Sequence, residues 1–268
     1  MAVGSELQAE LWRTAGDLAD VAAAHCLRLF RSPDLVAANK AASGFDPVTE
    51  ADRAAEAAMR KIIAERRPGD GVDGEEYGRE TGSSGFTWVL DPIDGTRAFL
   101  SGAPTWGILI GLDDGTGPVL GVVDQPFTGE RFMGGFGRAE YRRGGDSSDL
   151  RVRACPALAD AVLYTTRPEV GSLAELEGFM EVSRQARLTR YGFDCYAYAL
   201  IALGHVDLVI EAGLHSYDIQ GPQAVIEAAG GLVTDWRGRP AHQGGRVLAA
   251  GDRRAHAAAL EILSRVSD

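Results

Sequence analysis

The segment Trp88-Val-Leu-Asp91-Pro-Ile-Asp94-Gly-Thr96 constrains this chain more than any other. An apolar run of strand type ends in two aspartates three residues apart. Pro92 fixes the turn between them, and at Gly95 and Thr96 the backbone can present N–H groups. Taken alone, an Asp-Gly pair after a strand is an ordinary turn. The whole string carries more information. Two carboxylates at a strand end suit a hard, oxygen-seeking cation such as Mg²⁺. Free backbone N–H groups beside them suit a phosphate.

Hydrophobic periodicity places this segment in a mixed chain. Residues 5–30 read as an amphipathic helix, with a capping-box pattern of Ser5 and Gln8 at its start. A loop over 35–47 holds Lys40, and a second helix runs from about Thr49 to Arg67. Strands are predicted at Phe86–Leu90, Thr105–Leu112, Val119–Val123 and Glu130–Met133. In the second half, short β-rich runs at Ala161–Thr165, Val206–Glu211, Leu232–Thr234 and Val247–Ala250 alternate with helical ones. The helical runs are Ser172–Arg184, Asp194–Leu203, Ile219–Ala229 and Arg253–Val266. That alternation predicts an α/β layer. The polar stretch Arg142–Leu150 is the expected boundary. It divides the chain into an α+β half over 1–145 with the metal and phosphate site, and an α/β half over 146–268 that completes the substrate pocket.

Composition narrows the partners. The 268 residues are 45% apolar, enough for a sizeable core. Acidic residues outnumber basic ones 38 to 27, a net charge of -11, which argues against nucleic acid or an anionic membrane as the main partner. Cys26, Cys155 and Cys195 lie far apart with no CxxC spacing, so neither a disulfide framework nor a zinc ribbon is expected, and a reducing cytoplasm is the simplest setting. The N-terminus shows no signal-peptide pattern, and no apolar run is long enough to span a bilayer.

Three further acidic patterns stand along the chain. Gly74-Glu75-Glu76 precedes the central string; Glu211-Ala-Gly-Leu-His215-Ser-Tyr-Asp218 follows it, with Asp218 at a helix start; Pro47-Val-Thr49-Glu-Ala-Asp52 opens the second helix. Each has a bland explanation, as solvated charge for the glutamate pair and as helix capping for Asp218 and for Thr49 with Asp52. In this order and spacing, together with the Ala228–Gly231 turn, they resemble the inositol monophosphatase family. The resemblance implies a five-layer αβαβα sugar-phosphatase fold of mixed α/β (α+β) class, usually a homodimer, and Mg²⁺-dependent hydrolysis of phosphate monoesters.

Carried over position by position, Glu75, Asp91, the Ile93 carbonyl, Asp94 and Asp218 match the metal ligands. Gly95 and Thr96 match the phosphate cradle, and Thr96 with Asp52 the pair that orients and deprotonates the attacking water. Glu211 matches a position contacting the organic part of the substrate, and Lys40 lies in the segment matching the family's mobile active-site loop. The physical logic agrees. A phosphate ester dianion repels hydroxide, so cations must screen it, and this many carboxylates can hold about two or three Mg²⁺ per site. Attack is then in line, by water, without a covalent phosphoenzyme.

Two segments depart from the inositol-type pattern and resemble the histidinol-phosphatase branch instead. One is Arg97-Ala-Phe99 through Trp106 after the central string; the other is Arg190-Tyr-Gly-Phe-Asp194-Cys-Tyr196-Ala-Tyr198, where inositol enzymes carry small residues, typically a Gly-Ser/Thr-Ala-Ala run. Histidinol carries an ammonium and an imidazole, which Asp194 and Glu211 can hold by charge-assisted hydrogen bonds. Asp194 can equally cap a helix, Arg97 can form a surface ion pair, and Tyr196 and Tyr198 can simply pack. Three alternatives stand beside this expectation: a haloacid-dehalogenase-type phosphatase, disfavoured by the aspartate spacing; an inositol or broad sugar-phosphate phosphatase of the same family; and a binding module that kept the fold.

Overall fold

The computed structural model describes residues 3–39 and 47–267. Among them lie seven helices and fifteen strands. In chain order these are α1 (Ser5–Leu29), β1 (Ala37–Asn39), β2 (Pro47–Thr49), α2 (Glu50–Arg66), β3 (Gly71–Gly74), β4 (Gly78–Glu80), β5 (Thr87–Asp94), α3 (Thr96–Ser101), β6 (Gly107–Asp113), β7 (Pro118–Gln125), β8 (Glu130–Gly135), β9 (Arg138–Arg143), β10 (Asp146–Asp149), β11 (Val162–Thr165), α4 (Leu173–Gln185), β12 (Leu188–Tyr191), α5 (Tyr196–Ala202), β13 (Leu208–Leu214), α6 (Ser216–Ala228), β14 (Leu232–Thr234), β15 (Gly245–Ala250) and α7 (Arg253–Leu263).

Two sheets organise these elements. The larger has eight strands in the order β10-β9-β8-β7-β6-β5-β3-β4, antiparallel except for the β3–β5 pair. The smaller has five, in the order β12-β11-β13-β15-β14, with β11 parallel to both its neighbours. Helices α1 and α2 cover one face of the larger sheet, α5 and α6 lie between the sheets, and α4 and α7 close the outer face of the smaller one. The five-layer αβαβα expectation is met.

Residue alternation explains the layering. Along β6, Ile108, Ile110 and Leu112 pack toward α1 and α2, while Leu109 points into the layer between the sheets. Along β13 and β15, Val209, Val247 and Ala249 face that same middle layer, and Leu208, Ile210, Leu248 and Ala250 face α4 and α7. The central strands of each sheet are therefore apolar on both faces, which demands helices on both sides.

The middle layer is tight where α6 crosses β6 and β7. A Cβ placed on Gly121 would lie 2.1 Å from the Gly221 carbonyl oxygen, backbone against backbone. Only a missing side chain permits that approach. It seats α6 against the larger sheet and brings the helix start, with Asp218, to the carboxyl end of β5.

The cap expected at Ser5 needs correction, and other segments show strands that the sequence does not predict. Helix α1 is capped at Gly4 with no side-chain cap; Gln8 instead donates to the Val3 carbonyl. The polar stretch Arg142–Leu150 is occupied largely by the hairpin of β9 and β10 at the sheet edge. It pairs as strand because an edge hairpin needs no apolar face. Strands β3 and β4 flank Glu75 and Glu76, where the sequence predicts no strand. Among the described residues no helix is long and apolar enough to cross a membrane.

Candidate active site

Strand β5 delivers the central pair. Its pairing with β6 shifts register between Asp91 and Asp94, so the strand kinks at Pro92-Ile93 and both carboxylates face one recess. The Ile93 N–H donates to Asp91 Oδ1 at 3.0 Å, and the Thr96 hydroxyl donates to the Ile93 carbonyl at 3.1 Å. Gly95 turns the chain with φ 80° and ψ 41°, and α3 begins at Thr96. A Cβ on Gly95 would fall 2.8 Å from Asp194 Cγ, so Asp194 lies directly over this turn.

The remaining acids come from three other elements. Carboxylate oxygens of Asp91, Asp94 and Asp218 lie within 4.8 Å of one another. Glu75 follows β3, its N–H donating to the Leu90 carbonyl at 3.1 Å, and its carboxyl group is hydrogen-bonded to that of Asp91. Asp52 and Asp218 occupy equivalent places in α2 and α6: the third residue of each helix, accepting from the backbone N–H of the cap residue, Thr49 at 2.8 Å and His215 at 2.7 Å. Capping is thus a real role for both, and Asp218 is not itself the cap residue. One oxygen of each carboxylate serves the helix; Asp218 also lines the recess, and Asp52 feels the charge of Glu75.

Burial and mutual repulsion raise the carboxyl groups of Asp91, Asp94, Asp218 and Asp52. Burial pushes Asp91 well above the usual range, with Glu75, Asp94 and Asp218 adding repulsion. Burial does the same to Asp94, reinforced by Asp194 and Asp218 and opposed by the Cys195 N–H. Asp218 is pushed up to about 7 by burial, held down by the His215 N–H and raised by Glu75 and Glu211. Asp52 is raised by burial, against its bonds from Thr49. Mutually destabilised carboxylates of this kind fit a divalent cation, whose charge relieves the repulsion.

The recess opens into a cleft of about 540 Å³ that also takes in Gly95, Thr96, Arg97, Asp194, Tyr198 and Glu211. Asp194 stands before α5 with φ 46°, and the cap position belongs to Cys195. Its carboxylate accepts from the Thr105 hydroxyl at 2.7 Å; burial raises its pKa, with Thr105 and Arg97 opposing. Glu211 is buried and accepts from the Thr166 N–H at 2.8 Å, its hydroxyl at 2.5 Å and the Tyr198 hydroxyl at 2.9 Å. Tyr198 therefore belongs to the cleft. Tyr196 turns away and donates to Glu130, packing on Phe132. Lys40 lies outside the described residues. Sequence reasoning missed Thr105 and Thr166, since a lone threonine at a strand or turn carries no signal of the carboxylate it will meet.

Residues 7–268 match the profile of the inositol monophosphatase family. The chain belongs to that family. A chloroplast bifunctional phosphatase, IMPL2, from Arabidopsis thaliana is 43% identical over 81% of this chain and 65% of its own length, so the match spans just under two thirds of the plant protein. A histidinol-phosphatase from Streptomyces coelicolor is 34% identical over 90% of this chain and 92% of its own. An inositol monophosphatase structure from Zymomonas mobilis superposes with a TM-score of 0.83 at 40% identity, covering 95% of this chain and 98% of that one. As a member of this family the chain is a phosphatase, a phosphoric monoester hydrolase. Members are generally metal-dependent, which agrees with the acidic cluster.

Proposed function

We propose that this family member is a Mg²⁺-dependent histidinol-phosphate phosphatase of histidine biosynthesis, working as a cytoplasmic homodimer. The observation that carries the substrate choice is the pair Asp194 and Glu211, two acids that line the same cleft as the Asp91–Asp94–Asp218 cluster. A neutral polyol can donate hydroxyls to such carboxylates, but an ammonium and an imidazolium add ion pairing to the hydrogen bond, and Asp194 is the acid that departs from the inositol-type pattern. The name of the Streptomyces relative supports this reading.

In this proposal Glu75, Asp91, Asp94, Asp218 and the Ile93 carbonyl hold about two or three Mg²⁺. Bound there, Mg²⁺ supplies charge screening for the ester dianion and acidifies a nearby water. Gly95 and Thr96 receive phosphate oxygens. Asp52 with Thr96 orients the attacking water and takes its proton, and a carboxyl raised by burial is a better base than a free one. Asp218, raised to about 7, borders the leaving side. Asp194 and Glu211 hold the nitrogen groups so that the ester bond points at the cluster, with Arg97 at the rim countering Asp194.

The runner-up is an inositol-phosphate or broad sugar-phosphate phosphatase, favoured by the name of the Zymomonas neighbour. A phosphomonoester panel with and without Mg²⁺ separates the two. We expect kcat/KM for histidinol phosphate to exceed that for inositol 1-phosphate by a clear margin. A preference for the inositol ester transfers the assignment to the runner-up.

A further inference from the structure

Helix α2 carries a second buried acid one turn beyond Asp52. Glu56 is fully buried, and its carboxylate lies under the turn that presents Glu75. The Glu76 N–H donates to Glu56 Oε2 at 2.7 Å and the Tyr77 N–H to Oε1 at 3.2 Å. Arg60 Nε donates to the same Oε1 at 2.8 Å. On the other side of Glu75, a Cβ on Gly74 would lie 2.1 Å from Glu56 Oε1, so the carboxylate fills the space left by that glycine. Arg60 continues outward to Glu80 at 2.9 Å and to the Gly78 carbonyl, closing the β3–β4 hairpin from beneath.

We infer that Glu56 is a positioning residue that presets Glu75 for the cation. This rests on the reading of Glu75 as a metal ligand. One carboxylate grips the backbone immediately after Glu75 and occupies the space beside the residue before it. The Glu75 N–H itself is tied to Leu90, next to Asp91. The backbone of the turn is thereby fixed on both sides before any cation arrives, which keeps the base of the Glu75 side chain beside Asp91. A buried carboxylate with three donors is costly to assemble and is expected where geometry must be held. Because Asp52 and Glu56 are four residues apart on one helix face, α2 sets the water-side acid and the ligand turn from a single rigid element.

The test is direct binding of Mn²⁺ to the full chain, followed by the paramagnetic signal of the free ion. The proteins are wild type, Glu56→Gln, Glu75→Gln and Asp207→Asn. Asp207 is a buried acid bound to Arg153, remote from the cleft, and controls for lost stability alone. Glutamine sets an amide N–H₂ against N–H donors and loosens the turn. Glu56→Gln is expected to weaken Mn²⁺ binding by about tenfold or more. Asp207→Asn should leave it within about twofold, since it touches no part of the site. Phosphatase kcat in Glu56→Gln should recover at saturating Mg²⁺, because Glu56 touches neither substrate nor cation. If Glu75→Gln weakens binding while Glu56→Gln binds like wild type, the positioning role is overturned and the ligand reading stands. If Glu75→Gln itself binds like wild type, the ligand reading falls first. Should Glu56→Gln not fold, Gly74→Ala, which drives the carboxylate from its place, decides the matter by the same measurement.

Discussion

The backbone N–H of Cys195 donates to the Asp94 carboxylate at 2.7 Å, joining residues 101 positions apart. The segment that carries Asp194 therefore also holds a carboxylate of the metal cluster. Asp194 reaches this place in the left-handed region, φ 46°, which aspartate tolerates better than most residues and glycine adopts freely. The residue at 194 can thus be changed without disturbing the Cys195–Asp94 bond, provided the replacement accepts that backbone.

Asp194→Asn and Asp194→Gly both meet this condition. Each removes a charge from the organic end of the cleft while keeping the turn. We expect kcat/KM for histidinol phosphate to fall by roughly 10- to 100-fold, the worth of one charge-assisted bond. Mg²⁺ dependence should stay near that of wild type. Loss of metal binding in Asp194→Gly, measured by calorimetry, would show that Asp194 serves the cluster rather than the substrate.

Tyr198→Phe tests the second acid. Burial raises the Glu211 carboxyl, and its bonds from Thr166 and Tyr198 lower it again. Removing the tyrosine hydroxyl lets the carboxyl rise further, so the ionised form is reached only at higher pH. The acid limb of the kcat/KM profile for histidinol phosphate should move upward in pH, and the variant should approach wild type on the alkaline side. An unchanged limb with a uniform loss at every pH would assign Tyr198 to packing.

The cluster gives metal-free protein an unusual pH dependence. Asp218 sits at about 7 when folded against an ordinary 3.8, so folding takes up a proton between about pH 4 and pH 7. Stability falls wherever the folded state binds more protons than the unfolded one. Metal-free protein should therefore lose thermal stability as pH rises through that window, and lose no more from this group above it. Asp218→Asn removes the proton and should flatten part of that slope in the presence of a chelator. Saturating Mg²⁺ should lessen the wild-type fall, because the ionised form then has a partner. Identical slopes for wild type and variant in thermal scans would discount the raised value.

Gly121→Ala probes the seat of α6. The new Cβ would meet the Gly221 carbonyl at 2.1 Å, and neither backbone can yield cheaply. A loss of about 3 kcal/mol is expected from denaturant midpoints, in the range of overpacked cores. Metal affinity should fall with it, since displacing α6 carries Asp218 away from β5.

The sequence by itself determined the chemistry and the class of elements. Asp91, Ile93, Asp94, Gly95 and Thr96 lie within six residues, so their recess follows from one strand end and one turn, and local steric rules suffice to read it. Helix and strand periods likewise carried most of the layer pattern. Only the tertiary structure decided which distant acids join that recess and what steadies them. Asp218 arrives because glycines let α6 press on the larger sheet. Glu75 is set by Glu56 from beneath, Asp194 by Thr105, and Glu211 by Thr166 and Tyr198. Those partners are single polar residues whose meaning lies in proximity, and proximity across a hundred residues is fixed by packing of whole layers, not by any local pattern. The edge strands β9 and β10 escaped for a related reason: solvated on their outer side, they show no alternation to read.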